Sequence, residues 1–495
     1  MAIDENIIKD SIDWKQIFFC LLGVFLFIVV YYSPQWPDAV DPNGVTYPLT
    51  HEAKGAIAVF CLAGIWWVFE VVPIGITSIL IGVLQVLFQI RTANDAFHDF
   101  MDPSVLFIFG SIVIGMVFTK TGLTRRLAYK MLVVVGEKTS MIYLGCFVVT
   151  ALLTHIMAHT AVAATIYPLL IVIYSLYQSD LKPTKFGKGL FIGMAYVAGA
   201  GSIVTLLGAA RGAVAIGFYN QIAGAEKSIS FFELTYYMAP IGWAMVFILW
   251  VFFMIVFKPE KKVIPGLRNK AQRLAQEQGP MTRQEILASI IIGSCICFLA
   301  SMQFFPALKS FNKSAVILVS TVLFFLFKVL DVDDLEEIPW NIILLFAGAM
   351  SIGYCLYNTD AARWIAVNFI SMFKSAPGFI FIMAITFFVM LMTNFIMNVA
   401  AIAIVLPVAL ILCPYIGVSQ EVILFVSLVS AGMPFLFLVG AAPNAIAYDS
   451  KQFTTGEFFL YGIPASIILM IVTGFFVLVV WPLLGMPINV AAAGG

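Results

Sequence analysis

Charged residues are scarce in this chain. Only 11% of its 495 residues are Asp, Glu, Lys or Arg, against about 25% in ordinary soluble domains. The 27 basic residues balance the 27 acidic ones, so no net positive charge is available to attract a nucleic acid. Hydrophobic residues make up 62% of the chain, and the mean hydropathy is +1.01. These proportions exclude a soluble enzyme, a disordered protein and a nucleic-acid-binding protein, and they indicate an all-α polytopic membrane protein.

The sequence also lacks the patterns of a metal centre or a disulfide framework. Its seven cysteines lie mostly in apolar runs, and the closest pair, Cys295 and Cys297, is a lone C-x-C on a predicted helix. His155 and His159 have the spacing of a zinc-binding pair, but no carboxylate or cysteine neighbours them. We therefore predict no metal and no cofactor. Without an intramembrane carboxylate pair or an activated nucleophile, we also predict that the protein is not an enzyme.

Apolar runs recur along the chain, beginning with residues 17–32, which are short for a membrane span, and several later runs are also short or interrupted. A signal peptide is the alternative for that first run, but no small-residue cleavage site follows it. The basic segments 120–138 and 258–283 should be cytoplasmic, and the acidic, proline-containing segment 33–55 should be external. These features predict a cytoplasmic N-terminus, an external C-terminus, and eleven spans plus two non-spanning hairpins in the cell membrane. The polar linker 258–283 is expected to be a solvated connection, and anionic lipid is its alternative partner.

The two halves on either side of this linker resemble each other. The matching blocks, in the same order in both halves, are residues 109–115 with 347–353, 154–161 with 393–400, 207–213 with 439–445, and Glu233, Tyr237 and Pro240 with Glu457, Tyr461 and Pro464. Shared apolar composition is the alternative explanation, but so many matching blocks in one order are not expected by chance. Since the orientation count places the halves in opposite senses, we predict an inverted repeat, which is typical of secondary transporters.

Each half contains two kinds of interruption. The first lies between two apolar arms, at residues 157–160 and 397–399, and predicts re-entrant hairpins whose tips are buried in protein or line a wet cavity. The second is glycine-rich, at residues 199–212 and 440–444, and predicts an unwound helix. Half-helix N-termini at such a break offer free N–H groups and partial positive charge, which favour carboxylate ligands.

Arg211 lies in a stretch, residues 191–221, that contains no other charged residue. A charge at membrane depth costs several kcal/mol unless it is paired or hydrated. The side chain could reach an interface, or it could be a fixed cation for an anionic ligand. We predict the second, because a guanidinium can hold a carboxylate through two hydrogen bonds.

Other polar residues near the breaks are weaker candidates. His159 lies at the first tip and is predicted to take part in binding, with the neighbouring Thr160 as a hydroxyl donor. His155 is predicted to pack or to form a structural hydrogen bond. Asn398 and Asn444 are uncharged and fit either a packing role or a binding role.

At these residues the chain resembles the divalent-anion:sodium symporter family of di- and tricarboxylate transporters. The similarity covers nearly the whole chain and includes the segment 338–340 leading into Gly348, the turn at 121–123, and the breaks of both halves. It implies a homodimer in which a mobile transport part carries substrate like an elevator along a scaffold. The implied divisions are scaffold at 1–138, transport at 139–257, linker at 258–284, scaffold at 285–376 and transport at 377–495.

The resemblance also implies which residues form the site. In the family, each hairpin tip carries a Ser-Asn-Thr motif that contacts substrate carboxylate, and the tips and unwound helices bind sodium. The corresponding substrate-binding positions are Ala158, His159, Thr160, Ala209, Arg211, Met397, Asn398, Val399, Ala441, Pro443 and Asn444. The degenerate sodium positions lie near Ala158, Gly208, Met397 and Gly440.

The chain departs from the family pattern at these positions. Ala158 and Met397 replace the tip serines, which removes two hydroxyl oxygens from ion sites that need several oxygen ligands. Arg211 appears beside a position where the family holds a mobile cation. We therefore predict sodium-independent exchange of C4 and C5 dicarboxylates, such as succinate, malate and 2-oxoglutarate. Arg211, helped by a protonated His159, would neutralise the dianion, and an empty site with an unpaired cation would not cross readily. A sodium-coupled dicarboxylate symporter and a sulfate transporter remain the alternatives.

Overall fold

The computed structural model describes residues 14–40, 45–178, 182–224, 229–308, 310–373 and 377–489. The residues at either terminus, whose sides of the membrane are predicted above, lie outside these ranges. Almost all of the described chain is helical. Its short strands, β1 (Ala39–Val40) and β2 (Thr46–Tyr47), form an antiparallel pair with Ala39 opposite Tyr47.

The described residues of the first half form eleven helices. They are α1 (Trp14–Tyr32), α2 (His51–Val68), α3 (Ile74–Leu87), α4 (Ala93–His98), α5 (Pro103–Thr121), α6 (Leu123–Val135), α7 (Thr139–Thr154), α8 (His159–Tyr177), α9 (Lys185–Ser202), α10 (Arg211–Ala223) and α11 (Phe231–Val256). A 3₁₀ turn, Asp99–Met101, connects α4 to α5.

The second half begins in the linker. Its helices are α12 (Leu267–Glu277), α13 (Arg283–Ser301), α14 (Lys313–Leu326), α15 (Val332–Glu336), α16 (Trp340–Asn358), α17 (Ala361–Phe373), α18 (Gly378–Phe395), α19 (Asn398–Ile416), α20 (Gln420–Gly432), α21 (Ala442–Tyr448), α22 (Thr455–Phe475) and α23 (Trp481–Leu483). The 3₁₀ turns Pro306–Leu308 and Leu438–Gly440 and a π-helical turn, Phe476–Val480, complete this half.

Nine helical segments of the described chain are long and apolar enough to cross a membrane. The molecule is therefore an all-helical, polytopic membrane protein, as the composition predicts. Other predicted spans are short, such as α3 and α14 with 14 residues each, or are interrupted between α9 and α10. The count of eleven spans depends on these short and interrupted helices, and it stays a prediction.

The internal repeat is visible in how the helices pair. Helix α5 packs on α14, and α16 packs on α3, so each pair joins one helix from each half. A Cβ added to Gly110 of α5 would lie 2.8 Å from Ile317 of α14, and one added to Gly348 of α16 would lie 2.4 Å from Ser78 of α3. Gly110 and Gly348 are matched in the sequence repeat, so the same close packing is built twice. The two halves interlock rather than forming separate bodies.

The matched glutamates of the repeat start equivalent helices. Glu233 completes a capping box with Ser230 at the beginning of α11, and Glu457 completes one with Thr454 at the beginning of α22. Each box satisfies backbone N–H groups that a helix N-terminus leaves free. The match at Glu233 and Glu457 therefore reflects helix initiation.

The linker is mostly exposed, as expected of a solvated connection, but it also contains a helix that packs on the fold. Helix α12 packs on α6, with Leu267 and Ala271 buried between them. The Gln278 side chain donates a hydrogen bond of 3.0 Å to the Gly122 carbonyl. The helix packs because Leu267 and Ala271, at positions i and i+4, form an apolar stripe on one face. The high average polarity of the segment conceals this stripe in the sequence.

Candidate functional site

The two hairpin tips lie slightly before their predicted positions. Helix α7 ends at Thr154 and α8 begins at His159, so residues 155–158 form the first tip. Helix α18 ends at Phe395 and α19 begins at Asn398, so the second tip is residues 396–397. The predicted tips at 157–160 and 397–399 are thus wrong by one or two residues. His159 and Asn398 are the first residues of helices, where backbone N–H groups lack partners within the helix.

The second unwound segment is longer than its glycine run suggests. Helix α9 ends at Ser202 and α10 begins at Arg211, while α20 ends at Gly432 and α21 begins at Ala442. The first break falls inside the predicted range, but the second starts at residue 433 rather than 440. Pro434 explains the difference, because a proline disfavours helical backbone in the residue before it.

In each half the hairpin tip contacts the unwound segment through a glycine. A Cβ on Gly208 would lie 2.3 Å from the Thr154 carbonyl oxygen, and one on Gly440 would lie 2.9 Å from the Thr393 carbonyl oxygen. These glycines and threonines are equivalent in the repeat. The His159 N–H also donates to the Gly208 carbonyl at 3.1 Å. In both halves the end of the first hairpin arm therefore lies against the unwound segment in the same manner.

Side chains fasten the first tip to the unwound helix. The His155 Nδ1 atom is 3.1 Å from the Gly201 carbonyl oxygen, and the Thr205 hydroxyl donates to the His155 carbonyl at 2.6 Å. The His155 ring also packs edge-on against Trp243, with 5.5 Å between centroids. His155 thus has the packing and hydrogen-bonding role that we predicted.

Asn394 has the equivalent role at the second tip. Its Oδ1 accepts hydrogen bonds from the Leu436 N–H at 2.8 Å and from the Phe437 N–H at 3.4 Å. Sequence reasoning missed Asn394 as a site residue, although the repeat aligns it with His155. Asn444 supports the same segment, since its Nδ2 donates to the Pro434 carbonyl at 2.9 Å and to the Phe437 carbonyl at 3.1 Å.

Arg211 is buried where the two unwound helices cross. Its residue exposure is 2%, which rules out the interfacial alternative. The Nη2 group donates to the Ser202 hydroxyl at 2.7 Å, and a Cβ added to Gly432 would lie 2.7 Å from it. Since α9 ends at Ser202 and α20 ends at Gly432, the guanidinium lies at two helix C-termini, whose partial negative charge stabilises a cation. Ser202 and Gly432 were not predicted as site residues.

Two buried nitrogens near this crossing remain available to a ligand. Arg211 Nη1 and His159 Nδ1 have no hydrogen-bond partner in the described part of the chain. Buried polar groups are usually paired, so unpaired donors at a predicted site favour a binding role. Asn398 is 8% exposed, and its Oδ1 accepts from the Thr393 hydroxyl at 2.9 Å.

The remaining predicted positions lie in the same region and differ in how far they are buried. Ala209, Val399 and Pro443 are buried, whereas Ala158, Thr160, Met397 and Ala441 are partly buried. Ala158 and Met397 are the residues that precede α8 and α19, and neither provides a side-chain cap. Ala210 and Ala441 likewise leave α10 and α21 without side-chain caps.

Several other helices of this fold begin with a side-chain cap. Thr184, Ser230, Ser419 and Thr454 each accept a backbone hydrogen bond at the start of α9, α11, α20 and α22. The four helices that begin at the tips and breaks lack a side chain that accepts such a backbone hydrogen bond. The N–H groups there that remain unpaired, which do not include that of His159, and the partial positive charge of the helix starts suit an anionic ligand.

The space beside Arg211 is small in this conformation. A cavity of about 10 Å³ is lined by Ser202, Thr205, Ala209 and Arg211, which is room for about one water molecule. A second cavity of about 500 Å³ lies between α5, α10, α11 and α14 and is lined by Lys313, Glu233 and Leu206 among others. Leu206 also packs 3.1 Å from a Cβ built on Gly212, so it stands between the larger cavity and the start of α10.

A family profile described as the sodium:sulfate symporter transmembrane region matches residues 19–487. The chain belongs to this family. The resemblance to divalent-anion:sodium symporters is thereby confirmed, and the protein is a multi-pass member of a transporter family. The two interlocked halves described above are the form that this family's transmembrane region takes in the present chain.

Full-length relatives and solved structures agree with this assignment. A sodium-dependent dicarboxylate transporter, SdcS, of Staphylococcus saprophyticus is 22% identical over 494 residues, which cover 95% of this chain and 92% of the relative. The protein of the same name from Staphylococcus aureus is 24% identical over 485 residues, which cover 92% and 90%.

Two transporter structures share the fold. The YdaH transporter of Alcanivorax borkumensis is 12% identical with a TM-score of 0.58, and the similarity covers 96% of this chain and 99% of that one. MtrF of Neisseria gonorrhoeae, from a class of antimetabolite efflux pumps, is 13% identical with a TM-score of 0.59 and 96% coverage of both chains. At these identities the likeness concerns the fold alone.

Proposed function

We propose that this protein is a secondary transporter that carries dicarboxylates across the cell membrane. The observation that carries the proposal is the buried Arg211, which begins α10, one of the helices at the tips and breaks that start without a side-chain cap. Together the guanidinium and the free N–H groups form an electropositive site without an acidic residue among those lining the small cavity. Such a site suits carboxylate oxygens, which accept hydrogen bonds and carry the opposite charge.

The repeat supports a substrate with two carboxylates. Each half contributes one hairpin tip and one unwound helix, and each tip contacts its own helix at Gly208 or Gly440. Two similar half-sites match a ligand with an anionic group at each end better than a single tetrahedral anion such as sulfate. The names of the Staphylococcus relatives, sodium-dependent dicarboxylate transporters, support the same substrate class.

Coupling to sodium is the first candidate for the driving force. The names of those relatives favour sodium-coupled symport over the sodium-independent exchange that we predicted from the sequence. In this candidate, backbone carbonyls at the breaks near Gly208 and Gly440 would provide oxygen ligands. Arg211 would then contact substrate or hold the helix ends together.

Obligate exchange is the second candidate, and one observation favours it. The Arg211 guanidinium lies at the C-termini of α9 and α20, which is where partial negative charge would otherwise attract a free cation. The residues preceding α8 and α19, Ala158 and Met397, also lack hydroxyl ligands. A tethered cation cannot leave with the substrate, so an empty site would cross the membrane with an unpaired charge.

We further propose how the fold moves and assembles. Residues 139–257 and 377–495 would form a transport part with two re-entrant hairpins, and it would slide like an elevator along a scaffold of residues 1–138 and 285–376. The packing of α8 on α21 and of α10 on α19 supports a joint transport part, while α3 with α16 and α5 with α14 support a joint scaffold. A homodimer with a cytoplasmic N-terminus and an external C-terminus completes the proposal.

The test uses purified protein in liposomes that are empty or preloaded with unlabelled succinate. Uptake of labelled succinate, above that of protein-free vesicles and reduced by malate but not by sulfate, is the expected result. No succinate uptake under any condition would overturn dicarboxylate transport. Sodium-driven uptake into empty vesicles would establish symport, whereas uptake only into preloaded vesicles, with or without sodium, would establish exchange.

A further inference from the structure

The structured linker and the helix beneath it form a surface that the transport site does not use. We call α6 (Leu123–Val135), α12 (Leu267–Glu277) and the loops that join them to their neighbours the basic layer. Helix α6 follows α5 after a single glycine, Gly122, so the layer begins directly at the end of a membrane-spanning helix. In this layer the carboxylates mostly pair with groups of the protein, whereas most cations are exposed.

The acidic side chains around the basic layer are mostly engaged by the protein itself. Glu285 accepts hydrogen bonds from Arg126 at 2.9 and 3.0 Å, and Glu137 accepts from the Gly266 N–H at 2.9 Å. Glu260 accepts from the Tyr177 hydroxyl at 2.7 Å. Burial on its own would raise the pKa of Glu260, but hydrogen bonds from Tyr177 and backbone amides hold it below its ordinary value. These carboxylates are therefore directed to internal donors.

The basic side chains, in contrast, face outward. The exposed cations of the layer include Arg125, Lys130, Lys138, Lys262, Arg268, Lys270 and Arg273. None of them forms an ion pair with an acidic residue in the described part of the chain. Glu277 is the exposed acidic residue of α12, so the cations outnumber the exposed carboxylates and this surface has a local excess of positive charge.

Exposed apolar side chains lie among these cations. Leu127 is 43% exposed and Val134 is 85% exposed. With Lys130 they follow one stripe of α6 at the spacing i, i+3, i+7. A lysine between two exposed apolar residues, next to a membrane span, is the pattern of a helix that lies at the bilayer surface with its lysine stem in the interface and its ammonium at the headgroups.

We propose that the basic layer binds the phosphate headgroups of anionic phospholipids in the leaflet where α5 ends. The apolar stripe of α6 would rest in the interfacial region, and the surrounding Arg and Lys side chains would contact the headgroups. Apolar contact distinguishes a lipid from an acidic protein or a free phosphate ion, which would leave Leu127 and Val134 in water. The proposal does not depend on which substrate is carried.

The test measures lipid binding to the full-length protein in detergent by native mass spectrometry, with phosphatidylglycerol and phosphatidylcholine as probes. The test variant carries Lys130→Gln and Arg273→Gln, and the matched control carries Lys328→Gln and Lys451→Gln, two exposed cations outside the layer. Each cation at an anionic surface contributes roughly fivefold in affinity. We expect about 25-fold weaker phosphatidylglycerol binding in the test variant and less than twofold change in the control.

Two further measurements keep the proposal falsifiable if the variant misfolds. In the unaltered protein, phosphatidylglycerol binding should exceed phosphatidylcholine binding and should weaken as salt screens the charges. Inorganic phosphate at equal concentration should not displace the lipid. Equal binding of the two lipids, displacement by inorganic phosphate, or the same loss in the control variant would each overturn the proposal.

Discussion

Replacing Arg211 with methionine separates a binding role from a structural one. Methionine keeps an unbranched stem but removes the charge and the donor that contacts the Ser202 hydroxyl at 2.7 Å. For a carboxylate about 5 Å from the guanidinium, and an effective dielectric constant of about 20, the lost attraction is about 3 kcal/mol. The Kd for succinate should therefore rise roughly 150-fold.

Although Arg211→Met should bind succinate more weakly, its folding stability should be unchanged or higher. Arg211 is 2% exposed and its Nη1 is unpartnered in the described structure, so the ligand-free protein bears the cost of an incompletely paired buried charge. Replacing such a charge with an apolar side chain is often neutral or stabilising. We expect the thermal midpoint of Arg211→Met without ligand to be equal to or above that of the unaltered protein.

Calorimetric titration with succinate and thermal unfolding in detergent measure the two effects independently. Arg363→Met is the control, because the Arg363 side chain is 41% exposed and pairs with Asp360; its Kd and midpoint should stay unchanged. A normal Kd together with a lowered midpoint in Arg211→Met would refute the reasoning, since the arginine would then serve only to join the helix ends.

Two further predictions concern the contacts that join the tips to the unwound helices. Gly208→Ala should abolish uptake and lower the thermal midpoint, because the added Cβ would lie 2.3 Å from the Thr154 carbonyl oxygen. The control Gly64→Ala has no atom within 4 Å of the new Cβ, so its uptake and midpoint should stay unchanged. Equal behaviour of the two variants would contradict the contact between Gly208 and Thr154. Asn394→Leu should cost about 1–3 kcal/mol in unfolding free energy, because the Leu436 and Phe437 N–H groups lose their acceptor. Denaturant unfolding in detergent measures this, and an unchanged free energy would show that the second tip is held by other contacts.

Several features of the molecule could be predicted from the sequence because they depend on local order along the chain. Hydropathy identifies a membrane protein, since lipid requires apolar helices whatever their partners. The repeat and the positions of the breaks follow from residue types at fixed spacings, and the structure contains both kinds of break in each half. The error at the second break, where Pro434 ends the helix earlier than the glycines suggest, also has a local cause that the sequence contained.

Contacts between distant residues, in contrast, were decided by tertiary packing. The linker was expected to be solvated, yet α12 buries Leu267 and Ala271 against α6, because a stripe of apolar residues becomes stable only where a partner helix is present. Asn394 reads as one polar residue in an apolar arm until packing brings the Leu436 amide to it.

Arg211 shows most clearly what the local sequence determines and what the tertiary packing determines. Its isolation in an uncharged stretch identified it from the sequence alone as a candidate cation. Only the fold, which brings the end of α20 from the second half against the end of α9 from the first, shows that its guanidinium lies at two helix C-termini. Local sequence determines which residues are costly to bury, whereas the packing of both halves determines which dipoles and carbonyls compensate that cost.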